Sequence, residues 1–254
     1  MQLNQRANFM RWAFACCVSV LLVACTTMPV SKKNQDAASV YLQLGVRYLD
    51  MGKLDVAKEN LLMALDKSPQ DPQIYNALGF LYEKLNNPKQ AQSYYEDALD
   101  VSPDDWGIQN NLGRFLCMQK QYQQGLDLLT QAMTTQLNDK QWLALTNAGL
   151  CHLGMKQQQS AKAYFKQALL LNPSYAPALQ EMQKISYQNR EYWPAKAYLQ
   201  RYLSVAEHTA STLWVGMQTE RALGNNALAQ EYQKLLQDRF PLSEEARHLP
   251  SDLP

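Results

Sequence analysis

Five cysteines and three histidines hold most of the reactive chemistry open to this 254-residue chain. A nucleophilic thiol needs a base within hydrogen-bond reach, and a structural metal needs ligands at short, regular intervals. His152, His208 and His248 stand at neither kind of spacing. The chain has no Gly-rich phosphate loop, no H-x-x-x-H and no G-x-S-x-G. Of the acidic pairs, Asp104-Asp105 stands just before an apolar stretch beginning at Trp106 and reads as a helix cap, while Glu244-Glu245 lies near the C-terminus. Catalysis, a cofactor, a metal and a small-molecule substrate are therefore not expected. Basic and acidic residues number 24 and 23, which removes the electrostatic footprint that nucleic-acid binding requires. The remaining covalent chemistry belongs to three thiols: Cys25, which follows Leu22-Val23-Ala24, and the pair Cys117 and Cys151.

Cys25 has a distinctive setting. Arg6 and Arg11 form a basic flank, and Trp12 to Val23 is an uncharged apolar run. That run is shorter than the roughly 20 residues needed to span a bilayer. Basic flank, apolar run, small residue and cysteine occur in the order of a bacterial lipoprotein precursor, and Leu22-Val23-Ala24-Cys25 resembles its lipobox. The resemblance implies removal of residues 1–24 as a signal peptide, taking Cys16 and Cys17 with it, and acylation of Cys25. More than one acyl chain makes attachment effectively stable, at about 0.8 kcal/mol per buried methylene. Thr26 follows the cysteine, where lipoproteins retained at the inner membrane typically carry Asp, so the expected location is the periplasmic face of the outer membrane. Loss of the two arginines shifts the formal charge from +1 to −1. Residues 25–36 are polar and aperiodic and are expected to form a lipidated tether.

Placing the other residues requires the repeat that occupies the remaining chain. Small residues recur at Ala57, Ala91, Gly125, Ala161, Ala195 and Ala229, at intervals of 34, 34, 36, 34 and 34. In that register, position 8 reads Gly45, Gly79, Gly113, Gly149, Gln183 and Met217, and position 32 reads Pro69, Pro103, Leu137, Pro173, Glu207 and Pro241. This is the tetratricopeptide (TPR) signature: small residues at 8 and 20 let helix A cross helix B closely, and proline at 32 ends helix B. The expected fold is all-α, a right-handed TPR superhelix of six hairpins over residues 37–243. Residues 244–254 are expected to be a frayed tail. Two extra residues fit the turn near Thr134 to Asp139, and His152, at position 11, reads as a packing residue. Repeats five and six lack the position-8 glycine, as terminal repeats often do.

The concave wall of such a stack comes from positions 2, 5, 9, 12 and 13 of each A helix. These are not needed for hairpin cores, so apolar residues there suggest a partner. Leu42, Val46 and Leu49 of repeat one, Asn76 and Phe80 of repeat two, and Asn110 and Arg114 of repeat three form the candidate groove, suited to an amphipathic helix or extended segment. Packing between neighbouring repeats is the alternative for the three aliphatic residues. Cys117 and Cys151 occupy positions 12 and 10 of successive A helices, where an oxidising compartment could bridge them. Such a clip would contribute roughly 3 to 4 kcal/mol in the chain-entropy model; two buried free thiols are the other reading.

Three stretches are the most specific: Tyr41-Leu42-Gln43-Leu44-Gly45 with Tyr48-Leu49, then Asn110-Asn111-Leu112-Gly113-Arg114-Phe115-Leu116-Cys117 and Asn147-Ala148-Gly149-Leu150-Cys151, the last two of which a generic TPR does not require. With the lipobox and six repeats, the chain resembles the PilW/PilF family of type IV pilus biogenesis and stability lipoproteins. That resemblance implies a pilotin, an outer-membrane lipoprotein that binds the type IV pilus secretin and promotes its localisation, multimerisation and stability. A periplasmic TPR adaptor for cell-wall hydrolases or β-barrel assembly is the alternative function.

Overall fold

The computed structural model describes residues 31–249. Cys25 and the expected signal peptide lie outside the described residues. Twelve helices form six antiparallel hairpins, and a short thirteenth follows; there is no strand among the described residues. The hairpins pair α1 (Lys32–Asp50) with α2 (Leu54–Lys67), α3 (Pro72–Lys84) with α4 (Pro88–Val101), and α5 (Trp106–Met118) with α6 (Tyr122–Thr134). Then come α7 (Gln141–Gly154) with α8 (Gln158–Leu171), α9 (Ala176–Gln188) with α10 (Tyr192–Leu203), and α11 (Ala210–Ala222) with α12 (Asn226–Arg239). Each hairpin packs on the next, which makes a solenoid.

Local signals explain the boundaries. Pro72 and Pro88 open α3 and α4, where a missing N–H costs nothing. Asp71 and Asn87 cap those helices by accepting from the Gln73 and Gln90 amides. The Asp105 carboxylate accepts from the Gly107 and Ile108 amides at 2.8 and 3.1 Å, which accounts for half of the acidic pair. Each A helix ends the same way. The residue at position 15 has positive φ in all six repeats: Gly52, Asn86, Lys120, Lys156, Arg190 and Gly224. The next amide then reaches back to the position-11 carbonyl, as from Gln121 to Leu116 at 2.8 Å, which is a Schellman closure. The pattern has no sequence signature, since only two of the six are glycine.

Position-8 glycines sit at true close approaches. A Cβ on Gly79 would lie 2.6 Å from the Tyr95 ring, and one on Gly149 the same distance from Phe165. Repeat three is tightest, because a Cβ on Gly125 would meet the Gly113 carbonyl oxygen at 2.7 Å and Cys117 Sγ at 2.6 Å. Repeats five and six form hairpins without this glycine. Gln183 takes position 8 fully buried, donating to the Thr212 carbonyl at 3.3 Å while its own Oε1 has no partner. In repeat six the close approach moves one residue, to Gly216 against Leu199 and Tyr232.

The structure differs from the sequence expectation at both ends. Residues 32–36, expected as tether, are the first turn of α1, capped by Ser31. The tail is not frayed throughout: Ser243 caps α13 (Glu244–Arg247), and His248 lies 6.2 Å, centroid to centroid, from Trp214. In the long turn between repeats three and four, Asn138 is buried; it donates to the Ala132 carbonyl at 2.7 Å and accepts from the Lys140 amide at 2.7 Å. His152 packs as expected, stacked 5.1 Å from Tyr164 and bonded to Gln157.

Candidate partner-binding groove

The helical period brings Leu42, Val46 and Leu49 onto one face of α1, and Asn76 and Phe80 onto the facing side of α3. Together they line a cavity of about 400 Å³. Leu49 is buried at its floor, Leu42 and Phe80 are half-buried, and Val46 is exposed. Ala77 completes the apolar wall, and Asp50, Gln73 and Asn111 supply polar groups around it. Lys84 Nζ stands 5.1 Å from the Phe80 ring centroid, a cation–π contact at the rim. A mostly apolar trough with a few amides at its edge can seat apolar side chains while hydrogen-bonding a backbone.

Two of the expected groove residues lie elsewhere. Asn110 is buried and accepts from Asn147 Nδ2 at 2.8 Å, and its neighbour Asn111 reaches the cavity instead. Residues adjacent on a helix point about 100° apart, so the choice between the two asparagines depends on how α5 is rotated against α3. Asn111 Nδ2 donates to Asn76 Oδ1 at 3.0 Å, and Asn110 Nδ2 reaches Asn111 Oδ1 at 3.4 Å. The amides of Asn76, Asn111, Asn110 and Asn147 thus form one chain across repeats two to four.

Arg114 lines a second cavity, not this one, and is already paired. Its guanidinium forms a two-pronged pair with Glu83, Nη1 to Oε1 at 2.8 Å and Nη2 to Oε2 at 2.6 Å. The buried Tyr95 hydroxyl donates to Glu83 Oε2 at 3.2 Å. Burial by itself would lower the Arg114 pKa, but the Glu83 hydrogen bonds and charge outweigh it and raise it above the ordinary arginine value. Burial, and then the Glu83 charge, push the Tyr95 hydroxyl far above the usual phenol range. The trio is a neutralised brace between repeats two and three, with the Arg114 charge already matched by Glu83.

Beyond the brace lies a second cavity of about 420 Å³. Its lining includes Met118, Tyr122, Asn147 and Leu150, and its floor is Cys117 with Cys151. The two sulfurs are bonded, with Cα atoms 5.3 Å apart, and Tyr122 Oη donates to the Gly154 carbonyl at 3.0 Å beside them. No cluster of three or more potential metal-ligating side chains occurs among the described residues, and none of the described helices is long and apolar enough to cross a membrane.

Comparison with known proteins places this geometry in context. Tetratricopeptide repeat models match residues 45–86, 82–148 and 144–175. The type IV pilus assembly protein PilF of Pseudomonas aeruginosa is 28% identical over 237 residues, covering 91% of this chain and 94% of the relative. A solved structure of Pseudomonas aeruginosa PilF superposes with a TM-score of 0.74 at 30% identity, covering 85% of this chain and 97% of that one. The structure of PilW, a widely conserved type IV pilus biogenesis factor, gives 0.73 at 28% identity, with 83% and 96% covered. Cut9 in the APC/C hetero-tetramer reaches the same TM-score at 17% identity, which speaks to the solenoid fold alone.

Proposed function

Because the chain belongs to the PilF/PilW family of tetratricopeptide proteins of type IV pilus biogenesis, we propose that it is an outer-membrane lipoprotein that binds the type IV pilus secretin and promotes its localisation and multimerisation. The observation that carries the reading is the open apolar trough between Leu42, Val46 and Leu49 of α1 and Phe80 of α3. A soluble repeat protein gains nothing from leaving it uncovered. The secretin segment held there presents apolar side chains to the trough and a backbone to Gln73, Asn76 and Asn111.

The mechanism is holding and concentrating rather than chemistry. Lipid on Cys25 confines the solenoid to the membrane where the ring assembles, and the trough retains a β-rich subunit. Confinement raises the effective subunit concentration without new contacts, and retention blocks off-pathway edge pairing.

The test is deletion of the gene in its host, with complementation, scoring heat- and detergent-resistant secretin multimers and their membrane fraction. Multimers lost on deletion return with the wild-type gene and stay absent with Leu42→Asp, although the variant protein accumulates normally. Unchanged multimers after deletion sink the proposal and shift the search to cell-wall or barrel-assembly partners.

A further inference from the structure

The solenoid contains its own control for what its first repeat leaves uncovered. Position 3 of the A helix is Ile74, Ile108, Ala144, Ala178 and Thr212 in repeats two to six, each 0% exposed beneath the preceding hairpin. The matching residue in repeat one, Val40, is 56% exposed. Position 7 follows the same rule: Leu78, Leu112, Ala148 and Met182 are at most 3% exposed, whereas Leu44 is 37% exposed. Val40 and Leu44 on α1 and Met51 at its C-cap therefore form an apolar stripe at helical spacing, with Arg47 among them at position 10. The neighbouring α2 adds Val56, Leu62 and Met63, all exposed, where repeat two has Gln90, Glu96 and Asp97. Repeat three has Gln124, Thr130 and Gln131 at those positions, so these three are not a requirement of the hairpin. The opposite end of the stack is closed by α13, with His248 against Trp214. Solenoid ends ordinarily carry a polar cap for solubility; among the described residues, the first-repeat end presents Val40 and Leu44 instead.

We propose that this face of the first repeat rests on the lipid surface, with Val40, Leu44, Met51 and Met63 in the interface. The proposal depends on the lipid anchor at Cys25 set out above. Chain length selects the occupant. A stacked B helix here has 12 to 14 residues, and only residues 26–31 separate Cys25 from Lys32. The mature chain is too short there to supply the missing helix. Those seven peptide steps reach about 25 Å at full extension. Val40 lies eight residues into α1, about 12 Å along its axis, so the tether is short enough to keep the start of the stripe near the membrane and long enough to let α1 lie on it. A single partner helix covers the α1 stripe alone, whereas a lipid interface covers both the stripe and the apolar residues of α2. Lying there, the first repeat fixes the solenoid's orientation and directs the remaining repeats into the periplasm.

The test uses the mature acylated chain purified from its host and reconstituted in vesicles of phosphatidylethanolamine and phosphatidylglycerol. Nitroxide labels are placed through cysteines introduced at positions 40, 44 and 63, with 118 and 193 as references, and accessibility to a water-soluble nickel chelate and to oxygen is read by power saturation. The expected result is nickel accessibility at least threefold lower at 40, 44 and 63 than at the references, with oxygen accessibility raised. Equal nickel accessibility at all five positions overturns the proposal. Protection that appears only with added secretin, or without lipid and with a doubled mass, also overturns it in favour of a protein partner or a second copy. Mass spectrometry separates the premise: a chain lacking acyl groups on Cys25 refutes the anchor. The face is then measured on chain coupled at Cys25 to a maleimide phospholipid, with the nitroxides carried at the same positions on keto amino acids through oxime linkages, where the same two results support or overturn it.

Discussion

Replacing Gly125 with alanine moves repeat three toward the residue that the other five repeats carry at the same position. Helix propensity alone predicts a gain of about 1 kcal/mol for glycine to alanine inside a helix. The packing predicts the reverse. An alanine Cβ would stand 2.7 Å from the Gly113 carbonyl oxygen, 2.6 Å from Cys117 Sγ and 3.0 Å from the Cys117 amide nitrogen. Two of these are backbone atoms and the third is tied to Cys151, so no flexible side chain can yield, and α5 and α6 must separate. Overpacking of this kind costs about 1–3 kcal/mol, leaving Gly125→Ala a net loss of up to about 2 kcal/mol after the propensity gain. Gly107→Ala is the internal reference, since its added Cβ meets only the Asp105 carboxylate, at 3.1 Å. Urea unfolding of the oxidised mature protein, followed by circular dichroism, reads both. The midpoint falls for Gly125→Ala and holds or rises for Gly107→Ala; a raised midpoint for Gly125→Ala would refute the close-approach argument.

Other expectations are as direct. Removing the bridge with Cys117→Ser and Cys151→Ser together lowers stability by roughly 3 to 4 kcal/mol in the chain-entropy model, and thiol titration of the unfolded, unreduced wild type finds neither sulfur free. Lys156→Gly relieves a left-handed non-glycine residue at φ 60°, and strain relief less glycine's entropy cost leaves a gain of about 0.5–1 kcal/mol in urea. Glu83→Ala strips Arg114 and Tyr95 of their shared acceptor and costs about 2 kcal/mol, whereas Val46→Asp at the exposed groove wall changes the urea midpoint little. His208 has its pKa lowered by burial and then by Arg239, so the unfolded chain binds the proton more readily. Stability is full above the ordinary value of 6.5 and falls as pH drops through it toward the folded pKa. His208→Gln flattens the unfolding midpoint between pH 7.5 and 5.5.

How much of this was legible in the sequence varied with the range of the cause. Repeat phase was plain because small residues at positions 8 and 20 answer a contact inside one hairpin, repeated at a fixed interval. Leu42, Val46, Leu49, Asn76 and Phe80 could be placed for the same reason, and they do meet in one cavity. Arg114 could not, since its fate is decided by Glu83, 31 residues earlier, and no local pattern reports that pairing. The exchange of Asn110 for Asn111 reflects a rotation of α5 that the 3.6-residue period leaves open. Position 15 was silent because backbone closure sets its conformation there and overrides residue preference at Asn86, Lys120, Lys156 and Arg190. At the ends, a polar stretch read as tether is the first turn of α1: Ser31 caps it, and low hydropathy does not prevent helix.

The claim at the centre of the account is that the trough between α1 and α3 holds the secretin, and photocrosslinking in the host tests it most directly. A photoreactive phenylalanine analogue at Val46, in the trough, is compared with one at the exposed Trp193 in repeat five. The account predicts a secretin adduct from position 46 and none from 193, with the position-46 adduct lost when Phe80→Asp is added. Secretin captured at 193 but not at 46, or no secretin adduct from 46 in cells assembling normal multimers, contradicts it.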